Sequence, residues 1–259
     1  MNAIFAVYKR ELNLYFRSPV AYAIAFALLF FFGLLFSANI SQVVEINLQA
    51  SQSGQQPVTA ESFTGFVPSL LTFLLFLVAP LLTMRLLAEE TREGTLEVLM
   101  TLPMNESSFI IGKFLAAWTY YTVVLLTTLI YLVILNTVGV PDAGRAFAAY
   151  LGAWLYGGAV LAVTMIWSAV TEDQIVAAFL GAATVLVLYL ADTASSWASG
   201  QEFTAPLAGF IRELSLTAHF DSTMLQGIIR AEDILYFVFL MIGALFITSR
   251  LVETRRWRA

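Results

Sequence analysis

Six apolar runs divide this chain, at about residues 19–39, 66–87, 109–138, 147–170, 175–191 and 234–251, and each reaches or approaches the length that crosses a bilayer as a helix. Hydrophobic residues make up 59% of the chain and charged residues 12%, against about a quarter charged in an ordinary soluble domain. Only a helix or a closed barrel satisfies its own backbone in lipid, and continuous runs of this length select the helix. The chain therefore reads as an all-α integral membrane protein with six spans, forming one transmembrane domain over residues 1–259. It shows no internal repeat, and no stretch is long enough for a second domain.

An even number of spans places both termini on one side, and charge selects that side. With the N-terminus cytoplasmic, the inner segments carry Lys9, Arg10, Arg17, Arg85, Arg92, Lys113, Arg250, Arg255, Arg256 and Arg258, and the outer ones only Arg145, Arg212 and Arg230. Ten bases meet nine acids inside and three meet nine outside, giving +1 and −6, which together account for the chain's −5. The acidic pI near 4.9 therefore reports the outer loops.

Run lengths and flanks add detail. The third run holds thirty residues. At about 1.5 Å per residue it would reach about 45 Å against a hydrocarbon core of about 30 Å, so it must tilt or project. The fifth and sixth runs, at seventeen and eighteen residues, barely span. Lys9, Arg10 and Arg17 precede a first run too long for a cleaved signal, which makes that run a retained span. Ahead of it, over residues 1–18, Phe5, Tyr8, Leu12, Tyr15 and Phe16 form a stripe opposite Lys9, Asn13 and Arg17. That pattern predicts an amphipathic helix on the inner membrane surface. The Ser- and Gln-rich stretch Ser41 to Ser62 predicts a mobile external excursion. Between the last two spans, Leu207, Phe210, Ile211 and Leu214 repeat at helical spacing, so a short helix in the outer leaflet is expected, or a segment that dips partway into the membrane. Pro80, inside the second run, can kink it, either for gating or as a packed bend.

The chemistry that is missing narrows the function. No span carries a charge near its centre, where ion-coupled carriers place one. There is no cysteine, and a single histidine, His219 near Asp221, lacks a nucleophile or metal partners. His-Glu-x-x-His and Gly-x-Ser motifs are absent from the spans, and Gly112-Lys113 lacks the rest of a phosphate-binding loop. The phenylalanines Phe26, Phe30, Phe31, Phe32 and Phe36 cover more than one face of the first span, as lipid and helix contacts do.

Against this background the stretch Glu89 to Pro103 stands out, with four of the eighteen acids set between two apolar runs. Gly94 frees the backbone after one helix, Thr95 can cap another, Glu97 falls in its first turn, and Leu96, Leu99 and Met100 share one face before Pro103 stops it. A helix this short does not persist alone in water, so a partner or the membrane must hold it.

The run Glu89-Glu90-x-Arg92-x-Gly94-Thr95-x-Glu97-x-Leu99, with Pro103 and Gly112-Lys113-Phe114, resembles the signature of type-2 ABC exporter permeases, the ABC-2 family. Lys9-Arg10-Glu11-Leu12, Arg17-Ser18-Pro19, His219-Phe220-Asp221, Gly227-Ile228-Ile229 and Asp233-Ile234-Leu235-Tyr236-Phe237 are similar to its gliding-motility branch, with the nitrous-oxide-reductase maturation permeases as near relatives. The resemblance covers essentially the whole chain. It implies a six-span, non-catalytic subunit of the bacterial inner membrane that pairs with a second permease copy, either identical or related, and docks on two ATPase subunits. ATP and magnesium would sit in those partners and no cofactor in this chain. A periplasmic protein can join in some branches, and no nucleic acid is expected. The coupling helix implied for this chain comprises Glu89, Arg92, Glu93, Gly94, Thr95, Leu96, Glu97 and Leu99. The turn Thr171-Glu172-Asp173 is a second contact, and the interfacial helix, with Phe5, Tyr8, Lys9, Arg10, Leu12 and Phe16, flanks them.

Overall fold

The computed structural model describes residues 3–53, 63–94, 105–200 and 205–256, and among them every regular element is a helix. In chain order these are α1 (Ala3–Arg17), α2 (Pro19–Ser53), α3 (Phe66–Thr83), α4 (Arg85–Arg92), α5 (Glu106–Thr127), α6 (Leu129–Val138), α7 (Ala143–Val170), α8 (Gln174–Ser199), α9 (Ala205–Glu213), α10 (Leu216–Phe220) and α11 (Ala231–Arg256), with a 3-10 turn at Met224–Gln226. Six segments are long and apolar enough to cross a membrane: α2, α3 with α4, α5 with α6, α7, α8 and α11.

The bundle is organised around α7. Its small residues let neighbours approach: a Cβ on Gly157 would lie 2.2 Å from the Tyr121 ring of α5. The Tyr121 hydroxyl donates to the Ala153 carbonyl at 2.7 Å, while Trp118 and Trp154 stack with centroids 4.4 Å apart. Helices α3, α8 and α11 pack around the same core. By contrast, α2 is mostly exposed and docks through tyrosine hydroxyls of the neighbouring helices. Tyr120 donates to the Ala21 carbonyl and Tyr131 to that of Leu29, each at 2.6 Å. Of its phenylalanines, Phe32 and Phe36 are buried, whereas Phe26, Phe30 and Phe31 are exposed.

Three runs differ from their expected extents. The first helix continues through Ser53, well past residue 39, for 35 residues or about 52 Å. No glycine or proline interrupts it between Gly33 and Gly54, and its serines turn inward: Ser41 donates to the Ser37 carbonyl and Ser53 to that of Gln49. Residues 54–62 of the expected excursion lie outside the described residues. The third run breaks at Thr128, where Thr127 and Thr128 bond back to the carbonyls of Val124 and Leu125, and the Tyr150 hydroxyl donates to the Thr128 carbonyl at 3.2 Å. The fifth helix runs to Ser199, and Asp192 lies within it.

The expected outer helix is α9, folded back along α8 by a 2.7 Å bond from Ser195 Oγ to the Ala208 carbonyl. His219 pairs with Asp233 at 2.8 Å, not with Asp221, and stacks on Tyr236. It thereby joins α10 to the first turn of α11. The start of α5 and the end of α11 fall together: Ser107 Oγ lies 3.1 Å from Ser249 Oγ.

Candidate functional site

The end of the bundle that holds α1 and α4 also holds the start of α5, the α7–α8 turn and the end of α11. There α1 presses on α5. A Cβ on Gly112 would lie 2.9 Å from Val7 Cβ and 3.0 Å from the Ile4 carbonyl, so the helices approach closely where that side chain is absent. The next residue, Lys113, is 2% exposed. A buried ammonium stays ionised only when paired, and two carboxylates meet it: Glu11 of α1 at 3.1 Å and Glu90 of α4 at 2.9 Å. Arg10 closes the ring, with Nη2 2.6 Å from Glu11 Oε1 and 2.8 Å from Glu90 Oε1. Four alternating charges thus bind three helices into one block. Burial works against the Arg10 charge, but hydrogen bonding to Glu11 and the fields of Glu11 and Glu90 outweigh it and raise its pKa.

Tyrosine chemistry extends this block. The Tyr15 hydroxyl donates to the Leu82 carbonyl at 2.7 Å, and its ring stacks on Tyr120 at 5.3 Å. Burial, then the field of Glu11, pushes the Tyr15 hydroxyl far above its ordinary pKa, so it remains a donor. The inward face of α1 is therefore centred on Val7 and Glu11. Of the expected stripe, Phe5 and Phe16 are exposed while Tyr8, Leu12 and Tyr15 are half-buried; Lys9 and Arg10 are exposed. Between α1, the start of α2 and the α3–α4 junction lies a cavity of about 880 Å³.

The junction at Met84 follows Pro80, whose missing N–H leaves the ladder one bond short. Ser168 of α7 clamps it. Its hydroxyl accepts from the Leu87 and Ala88 amides at 3.0 and 3.1 Å and donates to the Met84 carbonyl at 3.0 Å. One turn earlier, Thr83 and Thr164 bond across the same seam at 2.9 Å. Pro80 is thus part of a packed, hydrogen-bonded bend.

Helix α4 is closed by Gly94, just past its C-cap Glu93, with φ +68°, the left-handed conformation in which glycine carries no steric cost. Glu89 is half-buried beside the cavity, and Arg92, Glu93 and Gly94 are exposed. Thr95, Leu96, Glu97 and Leu99 lie outside the described residues. The turn Thr171-Glu172-Asp173 sits three residues beyond Ser168. Asp173 caps α8 by accepting from the Ile175 and Val176 amides, Thr171 Oγ1 accepts from the Asp173 amide, and Glu172 is exposed.

Glu11 and Ser168 were not expected from the sequence as part of this site. Glu11 enters there only within the Lys9-Arg10-Glu11-Leu12 motif, and Ser168 does not enter at all. The available signals were the spacing of Val7 and Glu11 by four, and a lysine at 113 inside an apolar run, between Gly112 and Phe114.

Among the described residues no cluster of His, Asp or Glu could hold a metal ion, and the buried charges are consumed in structural pairs. The site can transmit force and offer a surface. No curated protein sequence matches this chain. The family of ABC-2 transporter proteins, however, matches residues 5–227, from the first turn of α1 to the far-end 3-10 turn, and on that span the chain belongs to the ABC-2 family, as a membrane permease component of an ABC transporter.

Proposed function

We propose that this chain is the non-catalytic permease subunit of an ATP-driven transporter of the bacterial inner membrane, coupling hydrolysis in a separate ATPase subunit to export. The block of α1, α4 and α5 around Lys113 carries the reading, because its exposed tip is Arg92-Glu93-Gly94. A push on that tip reaches α5 through Glu90 and Lys113, α1 through Arg10 and Glu11, and α7 through the Ser168 clamp. Rigid helices would then move the dimer interface with a second permease copy. The positive-inside balance supports a cytoplasmic position for this end and for both termini.

The test is Gly94→Pro, which forces φ near −65° where the chain holds +68°, alongside Glu97→Arg. Both variants are expected to insert and retain thermal stability while ATPase turnover no longer responds to the membrane subunit. Wild-type turnover and assembly in both would remove the coupling assignment.

One observation favours a second reading, in which the complex works on a periplasmic partner without moving substrate. The far-end segment is built and hydrogen-bonded, yet Leu207 and Phe210 of α9 and Trp197 of α8 are exposed. Co-purification of an additional periplasmic protein, lost in Phe210→Ser, would favour this reading over export.

A further inference from the structure

The cavity beside the ion ring has a charge order along its wall that the ring itself does not account for. Part of its lining is apolar, with Ile24 of α2 and Leu81 and Leu82 at the end of α3. Next along the chain toward the end of the bundle come Arg85 on α4 and Arg17 at the α1–α2 elbow. They lie at a similar level, because Tyr15, two residues before Arg17, is hydrogen-bonded to the carbonyl of Leu82, three residues before Arg85. Beyond them, one and two turns further along the same side of the chain, come Glu89 and Glu93. Arg10 and Lys113 are neutralised by Glu11 and Glu90, whereas no ion pair within the described residues engages Arg17 or Arg85.

Apolar, then cationic, then anionic is the complement of a zwitterionic phospholipid read from acyl chain to phosphate to ammonium. We infer that the cavity binds one phosphatidylethanolamine molecule, with its phosphate between Arg17 and Arg85, its ammonium toward Glu89 and Glu93, and an acyl chain against Leu14, Ile24 and Leu81. Guanidinium suits the phosphate because it offers several donors in a fixed plane, and the carboxylates accept from a primary ammonium but not from a quaternary one. A volume of about 880 Å³ holds a headgroup and the upper part of one chain. Such a lipid would wedge the elbow between α1 and α2 against the α3–α4 bend, stiffening the ion-ring block from its membrane side. This inference rests on the membrane-spanning fold and not on ATPase docking.

The experiment is native mass spectrometry of the full chain in mild detergent, with any subunits that stay bound. Phosphatidylethanolamine, phosphatidylglycerol and phosphatidylcholine are titrated separately. Phosphatidylethanolamine is expected to give one adduct per chain and to survive activation that strips the other two. Loss of either guanidinium, in Arg17→Ala or Arg85→Ala, should weaken retention about tenfold, the equivalent of one charge-assisted hydrogen bond. Glu89→Gln should reduce the preference over phosphatidylglycerol while leaving the phosphate contact. Folding of each variant is checked by disulfide formation between Ser107→Cys and Ser249→Cys at the same end of the bundle, whose hydroxyls lie 3.1 Å apart. Equal retention of the ethanolamine and glycerol lipids, or retention unchanged in a folded Arg17→Ala, Arg85→Ala double variant, would overturn the site. So would cross-linking of Leu14→Cys to a second copy or to another protein subunit, since the cavity would then be covered by protein.

Discussion

Lys113 is the residue on which the charged end of the molecule balances. With its ammonium present, the Glu11 and Glu90 carboxylates each have two cationic neighbours; without it they share Arg10. Lys113→Met should therefore cost about 3–5 kcal/mol, the range for stranding a buried charge, and lower the thermal unfolding midpoint in detergent. Adding Glu11→Gln should recover part of that loss, because the two residues are coupled and their effects do not add. At the far end, Asp221 gives a pH signature. Burial, and then the field of Asp192, pushes its carboxyl up from 3.8 to about 6. A folded-state pKa above the unfolded one means that the fold prefers the protonated group. The stabilisation is fully present below about pH 3.9 and is lost as pH rises through about 6. Asp221→Asn should accordingly unfold at a higher temperature than the wild type at pH 7.5, with the gap closing toward pH 4. Comparing the two chains at each pH isolates Asp221 from the nearby His219–Asp233 pair.

At the scale of elements, the apolar runs were legible because each helix must satisfy its backbone within lipid, and helical periodicity alone placed α9. The order of burial was not. Helix α7 is the least apolar of the six spans yet the most buried, whereas α2, the most apolar, is largely exposed. Hydropathy measures transfer into lipid. The interior of a helical membrane protein instead selects small side chains such as Ala153, Gly157 and Ala162, which allow close approach. The same logic hid the joint between α3 and α4. Pro80 marked a bend, but only the fold brings Ser168 to it from 84 positions away. The charged stretch from Glu89 to Gly94 was legible as a helix closed by glycine, whereas its anchoring was not, because Glu11 and Lys113 are remote in sequence and become neighbours only through the α1–α5 approach. Replacing Ser168 by Ala should leave two amides and a carbonyl without this partner and cost about 1–3 kcal/mol. Thermal unfolding measures that loss. Faster amide hydrogen exchange at Leu87 and Ala88 than in Thr164→Val would place it at the joint.

The whole molecule sorts its charges by end. Among the described residues, Lys9, Arg10, Arg17, Arg85, Arg92, Lys113 and Arg250 belong to the end that holds α1 and α4, while Arg145, Arg212 and Arg230 belong to the other. The three-dimensional arrangement separates the same residues that the positive-inside count separated in one dimension, although α2 proved longer than its apolar core and the third run proved bent. That agreement makes sidedness testable, because the chain has no cysteine and any introduced thiol is unique. In cells with a permeabilised outer membrane, an impermeant maleimide should label Gln226→Cys, in the far-end 3-10 turn, but not Ser249→Cys until the inner membrane is opened. Paired Ser107→Cys and Ser249→Cys should cross-link within one chain, because α5 and α11 must begin and end on the same side for their hydroxyls to meet at 3.1 Å. If both single thiols react from outside, the alternation of spans is broken and the α4 tip cannot meet a cytoplasmic ATPase. If labelling is sided in the opposite sense, the bundle stands but is inverted, and the exposed Arg92-Glu93-Gly94 surface must then serve a partner outside the cell's inner membrane.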